Sequence, residues 1–158
     1  MAPSQNDLAT FLRARLDEDD QVAKRSIEYS GMHLNGGSAT HLGIWNVEDR
    51  STGTFVVVQD QWNRTAEVVP TYGGMHTDHI ARHDPARVLA EIAAKRQILD
   101  EHFNVNEGSC GTCVEGKWGY PTHGGSLPQD YPCPTLRLLA LPYADHPDYR
   151  DEWRPATS

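Results

Sequence analysis

Along the first sixteen residues the apolar positions recur at helical spacing. Leu8, Phe11, Leu12 and Leu16 fall on one stripe, the 3.6-residue period of a helix that buries one face. Ser4 stands where a cap belongs, with Asp7 three positions later as in a capping box. The helix is expected to run on through the carboxylates Asp17 to Asp20. Glycines and turn formers give residues 31–53 a loop-like character. Between His41 and Pro70 the period changes to that of a strand. "HLGIWNV", "TFVVVQD" and "TAEVVP" are short β-branched segments parted by "EDRSTG" and "QWNR", and they predict a small three-stranded antiparallel meander. Trp45 and Trp62 either pack in its core or form an aromatic binding patch. Aromatics in small sheets usually fill the core, so packing is the expectation.

The second half opens on a strong helix start, Asp84 as cap and Pro85 in the first turn. Val88, Leu89, Ile92, Leu99, His102 and Phe103 follow along one stripe, predicting a long central helix over 85–102. From 104 to 132 the chain is rich in glycine and proline and reads as a long loop. Loops of that length inside compact domains need something to order them. Cys133-Pro134 then opens a short apolar helix that stops near Pro142, and a further turn is expected at His146-Pro147. The class is α+β: an N-terminal helix, the meander, the long central helix, an ordered loop and short C-terminal helices. No repeat or linker divides it, so residues 1–158 are expected to form a single domain.

Composition changes the picture in three ways. Apolar residues make up 38% and charged residues 23% of 158, which places the chain outside the disordered class. No stretch approaches the about 20 apolar residues of a membrane span, and "MAPSQNDLAT" lacks the basic flank and apolar run of a signal peptide, so a cytoplasmic location is expected. Fourteen basic against 22 acidic side chains, a net charge of −8, disfavour non-specific binding of nucleic acid, which needs a basic face. Three cysteines are too few for a disulfide framework in a reducing compartment and point to metal or redox chemistry.

Those cysteines carry the chemistry. Cys110 and Cys113 form a C-x2-C inside the loop, placing two thiolates on one side of an ion. Zinc takes four ligands in a tetrahedron and favours thiolate and imidazole. Cys133, at the start of the last helix, is a third donor, favoured as a thiolate by the helix N-terminus. His102, at the end of the buried stripe, is the first choice for the fourth. His123 is its rival, with His146 or water behind. The pattern H-x7-C-x2-C-x19-C then pins both ends of the loop through a structural Zn2+. A redox dithiol is a weaker reading because the motif neither follows a strand nor opens a helix, and three cysteines are too few for an iron–sulfur cluster. A deaminase-type catalytic zinc would need H-x-E and P-C-x-x-C, and neither is present.

A second group, His76, His79 and His83 with Asp78 and Asp84, would give a metal-dependent enzyme, although H-E-x-x-H is absent. Packing and capping explain these residues more simply. "NGGS" and "YGGM" have the wrong spacing for a phosphate loop, and there is no G-x-S-x-G nucleophile elbow.

Three stretches carry a resemblance: "FLRARLDEDDQVA", "HIARHDPARVLAEIAAKRQILDEH" and "YPCPTLRLLALPYADHPDYRDEWRP". They resemble a family of small proteins of filamentous soil bacteria and their phages, known only as a domain of unknown function. The likeness covers the first helix and most of 79–155, and is weaker over the β segment and 104–130. Members are similar in carrying a His at the end of the long helix and Cys residues before the "PTLRLLA" helix. That maps onto His102, Cys110, Cys113 and Cys133 here, and implies a phage or accessory-gene setting without implying an activity.

The functional expectation is a non-enzymatic, zinc-stabilised module that binds another protein. Its acidic runs, Asp17 to Asp20 and Asp148 to Glu152, and the aromatics Trp62, Trp118 and Trp153 would meet the partner. Two alternatives stand beside it. One is the histidine-cluster enzyme; the other is a sequence-specific DNA-binding regulator that would need a basic stripe of Arg82, Arg87, Lys95 and Arg96.

Overall fold

The computed structural model describes residues 7–33, 43–60, 62–69, 76–105, 108–114 and 128–155. Ser4, His41, "NGGS", "YGGM", Trp118 and His123 lie outside them. In chain order the elements are α1 (Asp7–His33), β1 (Trp45–Arg50), β2 (Gly53–Gln59), β3 (Thr65–Val69), α2 (Thr77–Arg82), α3 (Pro85–Glu101), β4 (Asn104–Val105), β5 (Ser109–Val114), β6 (Pro128–Asp130) and α4 (Pro134–Ala140). Short 3-10 turns follow at Leu141–Tyr143 and Asp151–Trp153. The class is mixed helix and sheet, with the N-terminal helix, antiparallel meander, central helix and short C-terminal helices that the periodicities predict. Among the described residues no helix is long and apolar enough to cross a membrane. The chain divides into two compact units, Glu18–Ile92 and Met1–Asp17 with Ala93–Ser158.

In Glu18–Ile92 the sheet order is β1-β2-β3, all antiparallel. β1 continues through Arg50, which pairs with Gly53, so most of the expected "EDRSTG" turn is strand. The unbroken Val56-Val57-Val58 run is buried throughout. That suits a central strand covered on both faces better than simple alternation would, and α2 packs against β1 and β2.

The β2–β3 turn is organised by the buried carboxylate of Asp60. Its Oδ1 accepts the amides of Trp62 and Arg64, each at 2.9 Å, and its Oδ2 accepts Arg64 Nε at 2.7 Å. Burial raises the Asp60 carboxyl, but the Arg64 amide and guanidinium and the Trp62 amide outweigh it and hold it below the ordinary carboxylate range. Asn63 takes the left-handed conformation at φ 60°, which Asn tolerates better than most residues. The turn throws Trp62 outward, 57% exposed, with the Arg64 guanidinium 4.6 Å from its ring centroid. Core packing is therefore wrong for Trp62, because the turn geometry overrides the aromatic preference; Trp45 is half-buried.

Asp84 joins two elements. Its Oδ1 accepts the Arg87 amide at 2.7 Å, capping α3, and its Oδ2 accepts the Trp45 amide at 3.3 Å, fixing the start of β1. Next to it Gly43, at φ 76°, accepts the Ala86 amide through its carbonyl at 3.2 Å.

In Met1–Asp17 with Ala93–Ser158, the core comprises Leu8, Phe11 and Leu12 of α1, Leu99 of α3, and Leu136 and Ala140 of α4, closed by Tyr131 and Trp153. Phe11 is the hub of an aromatic cluster, with ring centroids 6.3 Å from Tyr143, 6.0 Å from Tyr149 and 5.1 Å from Trp153. Trp153, expected on the surface, is thus 6% exposed, since this cluster needs its area more than solvent does. Ion pairs Arg13–Asp100, Arg96–Asp17 and Arg150–Asp7 join α1 to α3 and to the C-terminal segment.

Two further corrections bear on the site. Residues 104–132 are not simply loop: β4, β5 and β6 form a second antiparallel sheet in that order. Phe103 leaves the buried stripe and is 54% exposed, because α3 ends at Glu101 and the helical period no longer directs it.

Candidate metal centre

Three elements converge on one point. His102 immediately follows the last residue of α3, its amide bonded to the Ile98 carbonyl at 3.2 Å. β4 leaves that helix end and pairs with β5, placing Asn104 opposite Cys110. Between Cys110 and Cys113 the strand doubles into a knuckle. The Gly111 amide donates to the Phe103 carbonyl at 2.9 Å, the Thr112 hydroxyl to the Glu101 carbonyl, and the Cys113 amide to Cys110 Sγ at 3.5 Å. At Gly111 the backbone passes close under the exposed Phe103 ring, where a Cβ would lie 2.8 Å from the ring edge and would displace it. Cys133 forms the N-cap of α4 with Pro134 behind it, and makes no side-chain cap hydrogen bond. Its sulfur faces the cluster.

His102, Cys110, Cys113 and Cys133 each offer one ligand atom, and these atoms all lie within 4.8 Å of one another. His102 Nδ1 is 3.5 Å from Cys110 Sγ, 3.3 Å from Cys113 Sγ and 3.4 Å from Cys133 Sγ. With bonds of about 2.3 Å to sulfur and about 2.0–2.1 Å to nitrogen, a tetrahedral zinc site sets nitrogen and sulfur about 3.5 Å apart. The spacing therefore fits a metal ion such as zinc. Near-equal distances from one nitrogen to three sulfurs are not required by ordinary core packing.

The electrostatics agree. Burial disfavours the Cys110 thiolate, but the Cys113 and Thr112 amides, with the neighbouring Cys133 and Cys113 side chains, outweigh burial and lower this thiol. Burial, then hydrogen bonding and charge from Cys133 and the charge of Cys110, push the Cys113 thiol up to about 12. Burial also raises Tyr131; Arg13 acts the other way, while Cys133 and Cys110 add to the rise. A cluster of sulfurs cannot carry several negative charges at once unless a cation sits among them.

The other candidates fall differently. His146 is engaged elsewhere, its Nδ1 2.8 Å from Arg15 Nη1 and accepting the Asp148 amide at 3.1 Å. His79 and His83 stack with ring centroids 4.4 Å apart, and His83 Nδ1 donates to the His79 carbonyl at 2.8 Å. His76 is the N-cap of α2 and Asp84 caps α3. Among the described residues, no third metal-ligating side chain joins that histidine pair. Sequence reasoning did not find Thr112, Gly111 or Tyr131, whose amide donates to the Gly108 carbonyl at 2.8 Å. Gly111 inside the C-x2-C was the one available sign of a knuckle.

A family model described as "Family of unknown function (DUF6221)" matches residues 5–155, and the chain belongs to that family. No curated protein matches it, and no solved structure does.

Proposed function

We propose that this member of DUF6221 is a structural-zinc protein that serves as an accessory, non-enzymatic interaction module. His102, Cys110, Cys113 and Cys133 would hold the ion. The observation that carries the reading is the set of three His102 Nδ1–sulfur distances, 3.3, 3.4 and 3.5 Å. Three thiolates and an imidazole leave no open position for substrate and make the ion a poor Lewis acid, which favours structure over catalysis. A reducing compartment, expected from the cysteine count, keeps the thiols available.

For the partner, support comes from the β2–β3 turn. Trp62 is exposed on a turn held by a buried carboxylate, so its display needs little further ordering, and Trp and Arg are enriched among interface anchors. Trp153 no longer belongs to that surface. The DNA-binding reading is weaker: of the four cations it needs, Arg87 pairs with Glu91 at 2.8 Å and Arg96 with Asp17 at 2.6 Å, which halves the charge that stripe could offer to phosphates.

Two measurements test the proposal. Elemental analysis of purified protein should give one zinc per chain, and affinity capture comparing wild type with Trp62→Ala should show a protein partner lost in the variant. A metal-free protein with unchanged melting in chelator would overturn the zinc reading; undiminished capture by Trp62→Ala would overturn the assigned surface.

A further inference from the structure

We propose that Cys113 is a modification site: the sulfur of this centre at which a peroxide first reacts, opening the site and releasing its ion. The inference rests on the zinc reading above. The three sulfurs differ in what surrounds them. Cys110 and Cys133 are 2% and 0% exposed, whereas Cys113 is only half-buried. Cys110 Sγ also accepts the Cys113 amide at 3.5 Å, and such bonds draw electron density away from a thiolate and blunt its nucleophilicity. Among the described residues, Thr135 Oγ1 approaches Cys113 Sγ at 4.0 Å, a longer and weaker contact than the amide at Cys110 Sγ. Cys113 thus combines solvent access with a sulfur that, among the described residues, accepts no amide of the kind that Cys110 Sγ accepts. Cys133 is closed off by the core that includes Leu136 and Ala140.

The chemistry balances with hydrogen peroxide as the oxidant. The Cys113 thiolate attacks one peroxide oxygen, the O–O bond breaks, and hydroxide leaves, giving a sulfenic acid. A neighbouring thiolate, with both other sulfurs within 4.8 Å, attacks that sulfur; the S–S bond forms and a second hydroxide leaves. In sum, two thiolates, one peroxide and two protons yield one disulfide and two waters. The ion, left with two protein ligands, departs to solvent. Peroxide takes one electron pair in all: Cys113 is oxidised to the sulfenic acid, and the resolving thiolate's lone pair then forms the S–S bond as hydroxide leaves, so each sulfur has lost one electron on balance.

The test uses zinc-loaded wild-type protein whose metal content is measured first. Limiting hydrogen peroxide is added, zinc release is followed with a chromogenic chelator, and quenched aliquots are treated with dimedone and an alkylating reagent for peptide mass spectrometry. The expected result is dimedone label confined to Cys113 at early times, followed by one zinc released per disulfide formed. First labelling at Cys110 or Cys133, or oxidation of Cys113 with the zinc retained, would overturn the proposal while leaving the zinc reading intact. Protein without zinc at the outset would overturn both. Cys113→His, which keeps a nitrogen ligand, should retain zinc and release it several-fold more slowly under peroxide; unchanged release kinetics also count against Cys113.

Discussion

Replacing Cys133 by serine separates a metal ligand from a buried core cysteine. Cys133 is 0% exposed and its sulfur lies 3.4 Å from His102 Nδ1. Structural zinc contributes about 10–16 kcal/mol of apparent binding free energy. An even division over four ligands makes one thiolate worth about 2.5–4 kcal/mol, or an affinity lower by about two to three orders of magnitude. At free zinc of about 100 times the wild-type Kd, the ion stabilises wild type by about 2.7 kcal/mol. For a chain of this size that is a melting shift of about 5–11 °C over the chelated protein. At the same free zinc the variant sits at or below its own Kd, and the shift should fall under about 2 °C.

The assay is thermal melting by circular dichroism, with buffered zinc and with chelator, on wild type and Cys133→Ser, alongside competition against a chromophoric chelator for the affinity itself. A serine merely buried in the core would destabilise both conditions alike, by about 1–3 kcal/mol, leaving the zinc-dependent shift untouched. The reasoning fails if the shift is equal in wild type and variant, or if wild type melts at one temperature with and without chelator.

Three further predictions address the rest of the molecule. Because the Cys113 thiol is pushed up to about 12 without the ion, zinc binding at neutral pH must expel its proton, so affinity rises with pH, about tenfold per unit for each proton released. Calorimetry in two buffers of different ionisation enthalpy should find at least about one proton per zinc, and a count of zero refutes this. Gly43→Ala places a Cβ 2.7 Å from Ile27 Cδ1 at φ 76°; the left-handed backbone alone predicts a loss of about 1–2 kcal/mol, which an unchanged urea midpoint would contradict. Asp60 has a depressed folded pKa, so its stabilisation is full above the unfolded value near about 3.9 and is lost as pH falls through the folded one. Melting of Asp60→Asn should therefore lie furthest below wild type above about pH 5 and approach it in acid; a pH-independent gap contradicts that assignment.

What could be read in advance depended on how local its cause was. The helices α1 and α3 were legible because Leu8, Phe11, Leu12 and Leu16, and later Ile92 and Leu99, repeat at the helical period, and because Asp84-Pro85 is a local start signal. The meander was legible from its three β-branched runs, although β1 ran further than its turn-like residues allowed. The second sheet was not. "SCGTCV" has little β propensity, β4 is two residues long, and their pairing is decided by where α3 delivers the chain. Trp62 could be read either as core or as surface, and the buried Asp60 carboxylate two residues away decides for the surface; Trp153, expected on the surface, is captured by the aromatic cluster around Phe11, which is distant in sequence. At the site, spacing singled out Cys110 and Cys113, and the count of three cysteines left Cys133. His102 rested on the stripe of α3, and its approach to all three sulfurs is a product of tertiary structure.

The dimensions of the second sheet define what an ion held by His102, Cys110, Cys113 and Cys133 would do for the fold. β4, β5 and β6 have two, six and three residues, and their pairing is irregular between Ser109 and Val114. Ladders this short are marginal in water without an apolar face to bury, and exposed Phe103 supplies none. The chain between His102 and Cys133, 31 positions apart, must nevertheless be closed. In the chain-entropy form used for cross-links, a loop of about that length gives up about 3.5–4 kcal/mol, comparable to one thiolate's share of the zinc. A metal centre can supply that closure where hydrophobic burial is lacking. In its absence, failure should begin in β4–β6 and at the start of α4, while α1 retains its helical signal. Hydrogen exchange on chelated protein can read that order; uniform loss of protection across α1 and β5 would show that the ion does not act through this sheet.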